Sequence, residues 1–235
     1  MLNNNLVALA LTLVIALVWL RLNDFAAHKG WISSQISRKI IHVGTGPIFV
    51  LCWLFFNGSA LAPYLAALVP LGITVQFILV GSGVVKDPAA VEAMSRTGDR
   101  REILRGPLFY GVAFVVLTIA FWRHSPIGIV ALMILCGGDG LADIVGKRIS
   151  GFRLPWSPKK TVAGSLTMLF GGFLFAILVV WVFVLHGYFP GPTSRYFLPI
   201  GVIALVTALI ESLPFADIDN VTIPLVSVLI GFLVF

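Results

Sequence analysis

The chain has 235 residues, of which 59% are hydrophobic and only 11% charged, with a mean hydropathy of +1.02. A soluble domain carries about a quarter charged residues, so this composition excludes one and reads as an integral membrane protein. The net charge of +6 and the pI near 9.7 do not argue for nucleic acid, because the basic residues stand in loops between apolar runs, where membrane topology accounts for them.

The first apolar run, 6–20, is preceded by Asn3-Asn4-Asn5 and no basic residue. A signal peptide would have a basic start and a small-residue cleavage site, so this run reads as a first span kept in the mature protein. Runs of spanning length fall at about 5–22, 40–56, 60–80, 107–122, 126–146, 163–186, 197–213 and 222–235, on the criterion of roughly 20 apolar residues per span. The last is short, so the count is eight, or seven without it. The runs are continuous, whereas barrel strands would alternate over about ten residues. The predicted fold is an all-α polytopic bundle of seven or eight transmembrane helices, forming a single domain over 1–235. Loop 81–106 is too short for a core of its own. Cys52 and Cys136 both fall inside apolar runs and read as buried, inert thiols.

Fourteen of the sixteen basic residues stand in alternate loops. Arg21, Lys29, Arg38 and Lys39 occupy 21–39; Lys86, Arg96, Arg100, Arg101 and Arg105 occupy 81–106; Lys147, Arg148, Arg153, Lys159 and Lys160 occupy 147–162. Only Arg123 and Arg195 lie on the other side, so the three loops are expected to be cytoplasmic and both termini outside. All ten acids, Asp24, Asp87, Glu92, Asp99, Glu102, Asp139, Asp143, Glu211, Asp217 and Asp219, fall on the same side or in that half of a span. The positive-inside rule does not require this, so one face is expected to carry nearly all the chemistry.

The stretch Gly137-Gly138-Asp139-Gly140-Leu141-Ala142-Asp143, followed by Gly146-Lys147-Arg148, carries the sharpest signal. Ionised groups are costly in a bilayer, so carboxylates in an apolar span are functional candidates. Asp139, Asp143 and Lys147 recur every four residues and would share one helix face. With Ser125 as cap and Pro126 at the first helical position, Asp139 lies about 20 Å and Asp143 about 25 Å along the axis, past the midplane. The glycines allow close approach of either a ligand or a neighbouring helix.

Four more segments join it. Lys159-Lys160-Thr161 precedes a helix whose first turn holds Thr161 or Ser165, and a helix N-terminus binds phosphate. Arg38 and His42 lie one turn apart where the second span begins, and histidine titrates near neutral pH. Gly98-Asp99-Arg100-Arg101-Glu102 through Arg105-Gly106-Pro107 mixes charges at the entry of a span, suiting interface ion pairs or a nucleotide or lipid headgroup. Glu211 through Asp217, Asp219 and Asn220 holds acids with no basic residue, which suits a metal or a sugar hydroxyl.

Taken in order, Arg38-Lys39-Ile40-Ile41-His42, Glu102 with Arg105-Gly106-Pro107, Gly138-Asp139 with Ala142 and Gly146-Lys147, Lys159-Lys160-Thr161 with Gly164-Ser165, and Glu211 with Asp219-Asn220 resemble the polyprenol kinase family, which includes phytol, farnesol and dolichol kinases. The length is most similar to that of the compact phytol kinases. The resemblance implies phosphoryl transfer from a nucleoside triphosphate, typically CTP with Mg²⁺, to an isoprenoid alcohol whose tail lies in the bilayer. It also implies the roles. Asp139 and Asp143 hold Mg²⁺, or one of them accepts the alcohol proton. Lys159 and Lys160 bind phosphates, and Arg38 and His42 assist there or at the hydroxyl. Asp219 and Asn220 complete the metal or nucleotide site, and Lys39, Arg105, Lys147, Thr161, Gly164 and Ser165 complete the nucleotide-binding set. The alternatives are a CDP-diacylglycerol synthase-like cytidylyltransferase and, from another class, a small ion-coupled transporter. Transporters bind at the midplane between internal repeats, and neither feature is present. The expected setting is a bacterial inner membrane.

Overall fold

The computed structural model describes residues 2–95, 97–149, 151–214 and 218–235. Of the charged loop residues, Arg96, Asp217 and the side chain of Asp24 lie outside that description. Helices dominate, and their order follows the apolar runs. They are α1 (Asn5–His28), α2 (Ser34–Cys52), α3 (Ala62–Ser82), α4 (Pro88–Met94), α5 (Gly106–Phe121), α6 (Pro126–Met133), α7 (Gly140–Arg148), α8 (Val162–Leu185), α9 (Phe197–Glu211) and α10 (Asp219–Val234). Among the described residues, seven helical stretches are long and apolar enough to cross a membrane, and the shorter apolar α10 follows them. The all-α polytopic bundle is therefore borne out, with seven full spans and one short helix.

The packing falls into two compact units, Met1–Ile119 and Ala120–Phe235. In the first, α1 is apolar all round, with Leu6, Leu11, Leu17 and Leu22 among its exposed side chains. A helix of this kind is suited to lipid rather than to a polar solvent. It packs closely on α2, where a Cβ at Gly44 would come within 2.3 Å of the Trp19 ring. Pro88 at the first turn of α4 and Asp87 as its cap set that short helix off from α3.

In the second unit, α8 has a lipid-type face and a packing face. Leu166, Phe170, Leu174 and Leu178 recur every four residues and are exposed, whereas Gly164, Met168, Gly171, Gly172 and Ala176 are buried. Small residues on the buried face let helices approach closely, which is how membrane helices gain contact without a hydrophobic drive. The partner is the span Pro126–Arg148. It is the most enclosed of the seven, with 78% of its apolar window buried against 17–39% for the others. The unit closes with α9 on α10, joined by a buried hydrogen bond between Thr207 Oγ1 and Ser227 Oγ at 3.2 Å, and with α10 against α6 at Gly231 and Ile127. Cys52 and Cys136 are both free and buried.

The 147–162 loop folds into an antiparallel hairpin, β1 (Arg153–Leu154) and β2 (Ser157–Thr161), pairing Arg153 with Thr161 and Leu154 with Ser157. Pro155 and Trp156 are thus the two residues of its turn.

Candidate active site

The span that carries Asp139 starts as its sequence dictates. Ser125 caps it by accepting from the Ile127 amide at 3.2 Å, and Pro126 takes the first helical position. From Ile134 to Asp139 the α-helix widens into a π-helical turn, and α7 resumes at Gly140. Such turns insert a residue into the helical repeat and are frequent at functional sites. The glycines at this point are packing glycines. A Cβ at Gly137 would lie 2.3 Å from Phe175 Cγ, one at Gly138 2.7 Å from Met168 Sδ, and one at Gly171 3.0 Å from the Gly137 carbonyl oxygen. The wide turn therefore lies directly on α8, and Asp139 is its last residue.

Three acids from three elements converge there. Asp139 ends the π turn, Glu211 ends α9 and Asp219 begins α10, and one carboxylate oxygen of each lies within 4.8 Å of the other two. Among the described residues this is the group with metal-ligand spacing. Asp139 and Asp219 are half-buried, and Glu211 is the most enclosed at 9% exposure. Like charges so close are unfavourable unless a cation joins them, and Lys160 supplies one. Its Nζ lies 2.7 Å from Glu211 Oε1 and 3.8 Å from Asp219 Oδ1, and it also donates to the Glu211 carbonyl oxygen. A lysine on the last carbonyl of a helix satisfies an acceptor that the helix leaves open and matches the negative end of its dipole. Asp219 has the complementary placement at the positive end of α10.

Lys160 is set by its surroundings in the chain. Thr161, next along, caps α8 by accepting from the Gly164 amide at 3.1 Å. Gly164 itself packs against Gly146 of α7, where a Cβ would come 3.5 Å from the other glycine's Cα. At the hairpin turn, the Trp156 indole N–H donates to Ser212 Oγ at 3.2 Å. Arg153 folds back within the hairpin to donate to the Pro158 carbonyl. Lys159, one residue from Lys160, is exposed. Ser165 stands in the first turns of α8 with its hydroxyl buried and no hydrogen-bond partner.

Asp143, expected on the same face as Asp139, stands one turn further on. Its carboxylate holds Lys147 Nζ at 2.7 and 3.0 Å, with the lysine side chain 67% exposed. Asp139 gathers with acids of α9 and α10, while Asp143 makes an exposed pair within its own helix. Asn220 follows Asp219 as the second residue of α10. Glu211 is the residue that sequence reasoning left out of the metal set. Its signal was present, an acid at the end of an apolar run with no basic residue near it in sequence.

The remaining residues belong to the first unit. Arg38 Nη1 donates to the Ser95 carbonyl at 2.9 Å, tying α2 to the segment after α4. Tyr110 donates from its hydroxyl to the His42 carbonyl at 2.8 Å, and the two rings lie 4.4 Å apart. Lys39 is half-buried on α2, next to Arg38. Arg105 is exposed and follows the 3₁₀ turn Arg100–Leu104. In that segment Glu102 accepts from Thr97 Oγ1 at 2.9 Å, and Asp99 caps the turn through the Arg101 amide.

Comparison with known proteins bears on this arrangement. The chain is 41% identical over 227 residues to a probable phytol kinase 3, chloroplastic, of Glycine max, covering 95% of this chain and 70% of the relative. It is 41% identical to a farnesol kinase, chloroplastic, of Arabidopsis thaliana, over 88% of this chain and 68% of the relative. It is 35% identical to phytol kinase 1, chloroplastic, of the same plant, over 87% and 68%. No family model matches the chain, and no solved structure matches it. The relatives correct one expectation. They are chloroplastic proteins of plants, which overturns the bacterial inner membrane.

Proposed function

The chain belongs to the polyprenol kinase family of phytol and farnesol kinases, and from that premise we propose that it transfers a phosphoryl group from a nucleoside triphosphate, with CTP the expected donor, to an isoprenoid alcohol such as phytol or geranylgeraniol. The observation that carries the reading is the convergence of Asp139, Glu211 and Asp219, with Lys160 against the last two. The reaction centre lies on the membrane face that bears the basic loops. The alcohol reaches it from the bilayer, hydroxyl first, and the nucleotide from the aqueous side.

The donor set fits a divalent cation of the Mg²⁺ type. Hard carboxylate oxygens at this spacing match the preference of that ion. Asp139, Glu211 and Asp219 would hold it, and when bound it neutralises charge on the triphosphate. The chain's own side chains do the rest. Lys160, four carbons long and already at the acids, turns to the phosphates and offsets charge that develops as the phosphoryl group leaves. Lys159 and Lys147, both exposed, supply further phosphate contacts, and the first turn of α8, shaped by the Thr161 cap on Gly164, adds the buried hydroxyl of Ser165. Asp143 is the carboxylate left to accept the proton of the alcohol. Asn220 stands beside Asp219 for the nucleotide. Phosphoryl transfer depends chiefly on positioning and electrostatics, so this inventory suffices.

The test is a phosphotransfer assay on purified protein in detergent without a gradient. Labelled CTP, UTP and ATP are each offered with phytol, geranylgeraniol, farnesol, dolichol and diacylglycerol. The expected products are a nucleoside diphosphate and a phosphorylated alcohol. Release of pyrophosphate with a nucleotide-linked lipid would make the protein a cytidylyltransferase instead, and no transfer from any donor would overturn the reading.

A further inference from the structure

A two-stranded hairpin has little stability of its own, so the 153–161 hairpin depends on what holds it. One end is secured by Thr161, which caps α8. Arg153 closes the hairpin on itself through the Pro158 carbonyl. The turn carries Trp156 between Pro155 and Ser157, with Pro158 following, so the fixed φ of two prolines stiffens its path. Trp156 is 54% exposed, so packing does little to fix its ring. Its indole N–H is nevertheless engaged, on Ser212 Oγ at 3.2 Å. Ser212 is 4% exposed, and its hydroxyl proton goes to the Leu209 carbonyl at 2.6 Å, leaving its oxygen to accept from Trp156. The tip is thus tied to the last turn of α9, one residue from Glu211, which is the residue Lys160 meets at 2.7 Å.

We propose that Trp156 is a positioning residue for Lys160, acting through Ser212. The capped end at Thr161 and the tied tip at Trp156 are two fixed points on either side of Lys160. A lysine side chain has four rotatable carbons and loses much freedom when its ammonium is held at one place. With the tip released, the strand pivots about Thr161 and Lys160 spends less of its time at the acids. Trp156 touches no reacting group. The inference rests on the reading of Lys160 and the three acids as the phosphotransfer site.

The experiment uses the full chain in detergent and two readouts. Trp156→Phe keeps an aromatic ring and removes only the donor, Ser212→Ala removes the acceptor, and Ser212→Thr retains a hydroxyl. In steady-state phosphotransfer, Trp156→Phe and Ser212→Ala are each expected to lower kcat about fivefold to tenfold, the scale of one hydrogen bond, with KM for nucleotide and alcohol within twofold. The double variant is expected to be no worse than either single one, because both break the same tie. Ser212→Thr is expected to recover most of the rate. The second readout is Mn²⁺ binding in the absence of nucleotide, followed by electron paramagnetic resonance. Lys160→Met removes a charge that competes for the acids and is expected to tighten Mn²⁺ about tenfold. Trp156→Phe is expected to shift affinity in the same direction by about threefold, and to add nothing in the Lys160→Met background. Additive losses in kcat, or no change in Mn²⁺ affinity with Trp156→Phe, would overturn the positioning role. If Asp139→Asn is inactive while Trp156→Phe matches the parent, the inference fails and the site stands. If Asp139→Asn and Lys160→Met both match the parent, the site itself fails.

Discussion

Two sequestered cations flank the most enclosed span of the second unit, and their surroundings differ in kind. Lys160, beyond its C-terminal end, meets the carboxylates of Glu211 and Asp219. Arg123, just before its N-terminal end, is 6% exposed and lies over the rings of Trp122 and Tyr188 at 5.0 and 4.6 Å, with Nη1 donating to the Tyr188 hydroxyl at 2.7 Å. Burial pushes the Arg123 guanidinium below its ordinary pKa, and Tyr188 offsets part of that shift. Arginine stays charged all the same, and aromatic faces stabilise it without asking for exchange. The Arg123 arrangement is that of a fastening. The Lys160 arrangement gathers more negative charge than one ammonium balances, which suits a place where a second cation comes and goes.

The largest effects expected should break the carboxylate end alone. Asp139→Asn, Glu211→Gln and Asp219→Asn should each lower kcat by about a hundredfold or more in the phosphotransfer assay while leaving membrane insertion intact. Equal activity in Glu211→Gln would remove that residue from the metal set. Lys160→Met should cost about a hundredfold in kcat and, unlike the acid variants, tighten Mn²⁺ rather than weaken it. Next in size is a packing change. Gly138→Ala places a Cβ 2.7 Å from Met168 Sδ, and overpacking of this kind costs about 1–3 kcal/mol, to be read as a lower Tm in detergent. Arg123→Met should lower stability by about 1–2 kcal/mol and leave kcat and both KM values as they are, which is the sharpest contrast with Lys160. The smallest effect belongs to Lys147→Met. Its pair with Asp143 is exposed and worth under about 0.5 kcal/mol, so Tm should not move, and the expected change is a few-fold rise in KM for the nucleotide.

The fold was legible in the sequence because hydropathy reports it directly. Each apolar run became a helix, and Ser125-Pro126 began its span as its capping chemistry required. The site was legible in part. Asp139, Lys160 and Asp219 are polar groups at the ends of apolar runs, where their cost marks them. Glu211 was legible beside Asp219 as an acid suited to a metal but not as a partner of Lys160, because it stands 51 residues from that lysine and nothing in local spacing joins them. Regular helix spacing also grouped Asp139 with Asp143. The structure places them differently, since Asp139 ends the π turn and gathers with Glu211 and Asp219, whereas Asp143 lies in the first turn of α7 and pairs with Lys147. The contact of Trp156 with Ser212 carried no sequence signal, because the two residues stand 56 apart in the chain.

The sequence by itself determined where the apolar helices run and the order in which they follow one another. These follow from residue-by-residue transfer costs, which do not depend on what lies elsewhere in the chain. Only the tertiary structure decided which acids meet. The glycines of the π turn let α8 approach closely, α9 and α10 bring Glu211 and Asp219 to the end of that turn, and the hairpin carries Lys160 across to them. Carboxylates repel one another through space, so their grouping is a property of packed helices and not of any one segment.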